Sequence, residues 1–99
     1  MYYTYILYSP SEKIFYKGST KDLNNRVFRH TVGREKFTRT VKDWRLLWST
    51  QKATKSEAYK LEMKLKNLSQ QRTLKFMLKY RDGVAGPDEL LLIEQLSGC

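Results

Sequence analysis

The apolar positions change period along the chain, and the changes mark the elements. Residues 2–8, "YYTYILY", are aromatic and β-branched, which predicts a strand. Residues 9–13, "SPSEK", read as a turn with Pro10 at its second position, and residues 14–18, "IFYKG", as a second strand. With the turn centred between Pro10 and Ser11, the hairpin register sets Tyr5 opposite Tyr16 and Tyr3 opposite Gly18. Alternation then places Tyr3, Tyr5, Leu7 and Tyr16 on one face and turns Lys17 to the other.

After Gly18, read as the turn from strand to helix, a first helix is expected. Ser19 or Thr20 would cap it, with Asp22 in its first turn and Leu23, Val27 and Phe28 inward. Arg26 and His30, four residues apart, share a neighbouring face of that helix. Residues 32–43 read as a basic loop and residues 44–50, "WRLLWST", as a third strand with Trp44 and Trp48 on one core face. "TKSE" at 54–57 is a capping-box pattern opening a helix to about Leu68, with Ala58, Leu61, Leu65 and Leu68 as its stripe. Ser69 caps a third helix over 70–79. The glycine-rich break "RDGVAGP" precedes "PDELLLIEQL", which has proline at a helix start. The expectation is an α+β fold, a small three-stranded antiparallel sheet flanked by helices with an extra C-terminal helix. Residues 1–80 would form the domain and 81–99 a linker and tail.

Composition narrows the function classes. The longest apolar run, Leu90–Ile93, is far shorter than the ~20 residues of a membrane helix. No signal-peptide pattern opens the chain, so the expected location is the cytoplasm. The one cysteine, Cys99, can neither close an internal disulfide nor supply a metal cluster. Charge is uneven. Residues 1–80 hold 18 Lys+Arg against 6 Asp+Glu, a net +12, whereas residues 81–99 carry a net −3. So basic a body points to a polyanionic partner, nucleic acid first.

Glycine-rich phosphate loops, nucleophile elbows and zinc patterns are missing. Two tyrosines, an arginine, the sole histidine and scattered carboxylates remain, and that set suits phosphodiester cleavage. Arginine neutralises charge growing on phosphate oxygens, tyrosine acts as a base only with a lowered pKa, and one carboxylate can hold a hydrated Mg²⁺. Glu62, at the edge of the apolar stripe, is the candidate ligand. Each residue also has a plainer reading. Tyr5 and Tyr16 could be cross-strand aromatics, Arg26 a surface cation, His30 a helix-end residue, and Glu62 the i,i+4 ion-pair partner of Lys66.

Taken in order, "YTYIL", Tyr16 eleven residues after Tyr5, "YKG", Arg26, His30 and the "SEAYKLEMKLKNL" helix resemble the GIY-YIG nuclease domain over roughly residues 1–80. "KFTR" at 36–39 and "WRLLW" are similar to small standalone bacterial members, themselves akin to the N-terminal incision domain of a DNA-repair excision endonuclease. The pattern departs at Tyr3, where the family often has glycine, and at Lys17, where isoleucine or valine is usual. The resemblance implies a metal-dependent endonuclease acting on nucleic acid, DNA in the first place. Tyr5 would be the general base and Tyr16 would position phosphate or share that role. Arg26 would stabilise the transition state, His30 would assist proton transfer, and Glu62 would hold one Mg²⁺ or Mn²⁺. Lys17, Gly18, Ser19, Arg29, Lys36 and Arg39 would contact nucleic acid. Two other readings stand beside it: a non-catalytic DNA- or RNA-binding module on the same fold, and an interaction protein whose acidic tail binds a partner, self-associates or masks the basic face.

Overall fold

A computed structural model describes residues 1–34 and 40–98. Eight segments follow in order: β1 (Tyr2–Ser9), β2 (Ile14–Thr20), α1 (Leu23–Thr31), β3 (Arg45–Lys52), α2 (Lys55–Lys66), α3 (Gln70–Lys79), a 3₁₀ turn (Arg81–Gly83) and α4 (Pro87–Leu96). The strands form one antiparallel sheet in the order β2-β1-β3. This is the α+β architecture expected from the pattern.

Alternation along β1 divides the core. Ile6 and Tyr8 point to one face, where Leu65 of α2, Leu74 and Met77 of α3 and Ile93 of α4 cover them. Tyr5 and Leu7 point to the other, against Trp44, Tyr16 and the Leu23 and Val27 side chains of α1. The helix stripes follow the sequence reading, except that Phe28 is exposed. On the first face the Thr4 hydroxyl donates to the Ala58 carbonyl at 2.8 Å and ties α2 to the central strand.

The hairpin register is shifted by two residues from the expected one. Tyr5 lies opposite Gly18, Leu7 opposite Tyr16 and Tyr3 opposite Thr20. The loop spans residues 10–13 because Lys13 adopts a left-handed backbone (φ 57°) and its N–H bonds the Ser9 carbonyl at 2.7 Å. Asp43 fixes this longer loop, accepting from the Ser9 hydroxyl at 2.7 Å and the Ser11 N–H at 2.8 Å. These bonds hold its carboxyl below the usual range. A shift of two preserves side-chain parity, so the faces stay as expected while every partner changes.

Three further corrections are local. β2 continues through Thr20, so Gly18 lies inside a strand and does not turn the chain. Asp22 caps α1, its carboxylate accepting from the Asn25 N–H at 3.2 Å. Between Trp48 (paired with Ile6) and Leu46 (paired with Leu7), Leu47 is an extra residue. This β-bulge sends Trp48 to the α2 face and leaves Trp44 on the α1 face, so the two indoles do not share a side.

The C-terminal segment is docked. The Ala85 N–H bonds the Leu47 carbonyl at 2.9 Å, Val84 bridges to Trp48, and Arg45 pairs with Glu89 at 2.9 Å. Ile93 has no exposed surface. Ile93→Ala is therefore expected to lower stability by about 2–5 kcal/mol in urea unfolding; a change below ~0.5 kcal/mol, typical of surface positions, would mean that α4 is not part of the core.

Candidate active site

The site lies on the α1 face of the hairpin and at the edge formed by β2. Tyr5, from the central strand, is fully buried. Its ring lies across the backbone of Gly18, directly opposite in the register. A methyl group on Gly18 would overlap the Tyr5 hydroxyl and come 2.6 Å from Cζ. The glycine thus supplies the space for the phenol rather than an unusual backbone angle.

Two α1 side chains meet the Tyr5 hydroxyl. His30, fully buried in the last full turn, has Nε2 3.1 Å from it. Arg26, one turn earlier, lies close enough for its charge to act on the same phenol. Tyr16 packs its ring against both partners, with centroids 6.3 Å from Tyr5 and 4.8 Å from His30, and Trp44 closes the cluster 6.3 Å from Tyr16. Burial, and next the neighbouring Tyr16, push the Tyr5 phenol well above its ordinary pKa, and the Arg26 charge offsets this only in part. Tyr5 is consequently neutral at neutral pH in the free protein.

Glu62 approaches from α2, at the β2 edge. Its Oε1 accepts from the Ser19 hydroxyl at 2.5 Å and its Oε2 pairs with Lys66 Nζ at 2.8 Å. That ammonium also stands 6.0 Å from the Tyr16 ring centroid. Glu62 is therefore both the i,i+4 partner of Lys66 and a member of the cluster, and its charge reaches Tyr5. The hydrogen bond and charge of Glu62 hold Lys66 above its usual pKa. Lys66 entered the sequence reading only as an ion-pair partner; its spacing from Glu62 was the available signal. A depression of about 330 Å³ beside the cluster is lined by Ser19, Lys21, Arg26 and Lys55, three cations without a carboxylate. Lys21 and Lys55 had no sequence signal beyond their charge.

The remaining candidates are placed differently. Lys17 sits on the opposite face, 8% exposed, with Nζ 5.8 Å from the Phe15 ring centroid; burial lowers its pKa. Arg29 is half-buried on α1. Lys36 and Arg39, with the rest of "KFTR", lie outside the described residues.

A metal would find one carboxylate here. Among the described residues no group of three or more His, Cys, Asp or Glu is poised around a cation. Glu62 fits the looser requirement of Mg²⁺, which keeps several waters and takes one or two carboxylates plus substrate phosphate. Each Glu62 oxygen has one partner within the protein and retains a second lone pair.

The family model described as the GIY-YIG catalytic domain matches residues 1–75, which include every described member of this cluster. The chain belongs to the GIY-YIG family. It thereby belongs to a family of nuclease domains. It is 36% identical over 63 residues to a UPF0213 protein of Staphylococcus epidermidis, covering 63% of this chain and 77% of that one. It is 34% identical over 68 residues to a UPF0213 protein of Staphylococcus aureus, covering 68% and 83%. The NMR structure of a UPF0213 protein from Bacillus halodurans is similar at 33% identity and a TM-score of 0.51, over 90% of this chain and 92% of that one. This GIY-YIG domain carries its long docked C-terminal segment beyond the matched residues.

Two outcomes test the geometry of this GIY-YIG cluster. Gly18→Ala is expected to displace the Tyr5 ring and lower stability by about 1–3 kcal/mol in chemical denaturation; an unchanged midpoint would remove the close approach. The raised Tyr5 pKa means that folding favours the neutral phenol. Its contribution is complete below pH ~10, the unfolded value, and is lost as pH rises toward the folded one. Above pH ~10, wild-type stability should fall about 1.4 kcal/mol per pH unit more steeply than that of Tyr5→Phe. Parallel curves would contradict the burial argument.

Proposed function

We propose that the protein is a metal-dependent endonuclease that hydrolyses phosphodiester bonds, DNA being the first substrate to test. The observation that carries this reading is the cluster of Tyr5, Tyr16, Arg26 and His30, with Glu62 held at the adjoining β2 edge, drawn from two strands and two helices beside a cationic groove. A core cluster would not require an arginine and a carboxylate beside a phenol.

In this reading Arg26 and the groove lysines bind the scissile phosphate and oppose the charge that grows on its oxygens. Tyr5 is poor as a base on its own, because burial keeps it protonated. His30 Nε2, at hydrogen-bond distance, can take the Tyr5 proton as the phenol oxygen receives one from the attacking water. That role requires the His30 tautomer with its proton on Nδ1. Tyr16 orients the phosphate from the exposed side of the pair. Ser19 and Lys66 hold the Glu62 carboxylate in place, and Glu62 would bind one Mg²⁺ or Mn²⁺, which when present supplies Lewis-acid stabilisation of the phosphate and leaving group.

One observation favours a second reading, a nucleic-acid-binding module without catalysis. Both Glu62 oxygens are already engaged within the protein. The experiment that separates them is cleavage of supercoiled plasmid with Mg²⁺ or Mn²⁺. Wild type is expected to nick or linearise the plasmid and Glu62→Ala to lose at least ~100-fold of that rate while still binding DNA, since the lost interaction acts in the transition state. Binding by both proteins with cleavage by neither, across both metals, would select the non-catalytic module.

A further inference from the structure

On the α2 face of the sheet, at the β3 side, lies a second depression of about 740 Å³. Its volume is that of a groove able to receive a nucleotide-sized ligand. Four cations line it: Lys52 from β3, Lys64 from α2, Lys79 from α3 and Arg81 from the 3₁₀ turn; Asp82 is the one acid in its lining. Among the described residues none of the four lies within salt-bridge distance of a carboxylate.

Aromatic rings form the wall. Trp48 is buried at its base, Phe76 packs edge-on at 5.0 Å from it, and Tyr80 follows 4.9 Å beyond, 47% exposed. The ladder is anchored at its base. The Trp48 Nε1–H donates to the Tyr80 carbonyl at 2.8 Å, and Gly83 is packed so closely that a methyl group there would lie 2.5 Å from Trp48 Cε2. Lys79 holds its ammonium 5.4 Å from the Tyr80 ring centroid. An exposed ring amid cations that no carboxylate neutralises is the arrangement that binds a nucleobase by stacking and its backbone by charge.

The groove is separate from the Tyr5 cluster: Tyr5 and Trp48 lie on opposite faces of the sheet, and Glu62, at the β2 edge, is set apart from the groove by the width of α2. At about 100° per residue, Glu62 and Lys64 project some 160° apart on that helix. Glu62 faces the cluster and Lys64 lines the groove. A helix with its side chains is about 10–12 Å across, the rise of roughly three stacked nucleotides.

We propose that this groove is a second nucleic-acid site, which binds a single-stranded segment by stacking a base on Tyr80 and seating phosphates on Lys52, Lys64, Lys79 and Arg81. The proposal rests on nucleic acid being the substrate class, and it assigns a segment of substrate that passes over α2 from the Glu62 edge of the candidate site. An acidic protein segment is the competing occupant, and the stacked ring favours nucleic acid over it.

The test is fluorescence anisotropy with a short labelled oligothymidylate and full-length protein, in EDTA so that no cleavage intervenes. Tyr80→Ala is expected to weaken binding fivefold or more, the low end of one stacked base. Lys64→Ser with Lys79→Ser should weaken it and flatten the salt dependence by about 0.7 per lysine lost. Lys75→Ser, which removes an exposed α3 charge outside the groove, should do neither. All four positions are exposed, and circular dichroism confirms that each variant folds. Wild-type binding that the groove variants leave unchanged overturns the proposal while leaving the nuclease reading intact. Binding that falls equally with Lys75→Ser overturns it too, as charge alone. A groove variant that alters self-association in sedimentation but not oligonucleotide affinity assigns the groove to protein. Absence of oligothymidylate binding by wild type overturns this proposal, while the plasmid experiment decides the nuclease reading separately.

Discussion

The placement of the Tyr5 phenol over the bare backbone of Gly18 is the constraint on which the site depends. A ring so placed has its hydroxyl at a fixed point, held by His30 Nε2 at 3.1 Å and within the field of Arg26. That placement needs the observed hairpin register, the docking of α1 and the parity of the sheet all at once. A one-residue slip would carry Tyr5 to the α2 face and Thr4 into the site. The same burial that orders the phenol also suppresses its ionisation, which is why a proton acceptor next to it is a chemical necessity for any base role.

The second support is α2. Thr4 anchors its start to the central strand, Leu65 carries it into the core, and Ser19 and Lys66 hold Glu62 at the β2 edge. Glu62 is thus positioned by residues from a strand and from its own helix. A lone carboxylate there would be a mobile surface acid; between a hydroxyl and an ammonium it is a fixed charge that acts on Tyr5. Because α2 is rooted in the core, its far side is equally well placed, and there Lys64 and Leu61 border the groove above Trp48.

Much of this was legible in the sequence, and what was not has definite physical causes. Period-two alternation told which residues of β1 and β2 share a face, because parity survives any even shift in register. The register itself depended on Lys13 taking a left-handed conformation and on the Asp43 clamp, a contact 34 residues away in sequence from Ser9 that no local pattern announces. Gly18 was visible as special, but a glycine reads the same whether it permits a turn or yields space to a ring. The separation of Trp44 from Trp48 followed from one extra residue at Leu47, and bulges leave no trace in a short apolar run. The order of Tyr, Tyr, Arg, His and Glu marked the candidate site, whereas Phe76 and Tyr80 carried no sequence signal, because their meaning lies in what β3 and α2 set opposite them.

The central claim is that the buried phenol takes part in phosphodiester cleavage rather than merely in packing. Single-turnover cleavage of a labelled DNA duplex by Tyr5→Phe with Mn²⁺, at protein concentrations that saturate binding, tests it most directly. Loss of ~10²–10⁴ in rate with unchanged DNA affinity, the range of general acid–base catalysis, is the predicted result. A rate within a few-fold of wild type would make Tyr5 a core residue and contradict the account.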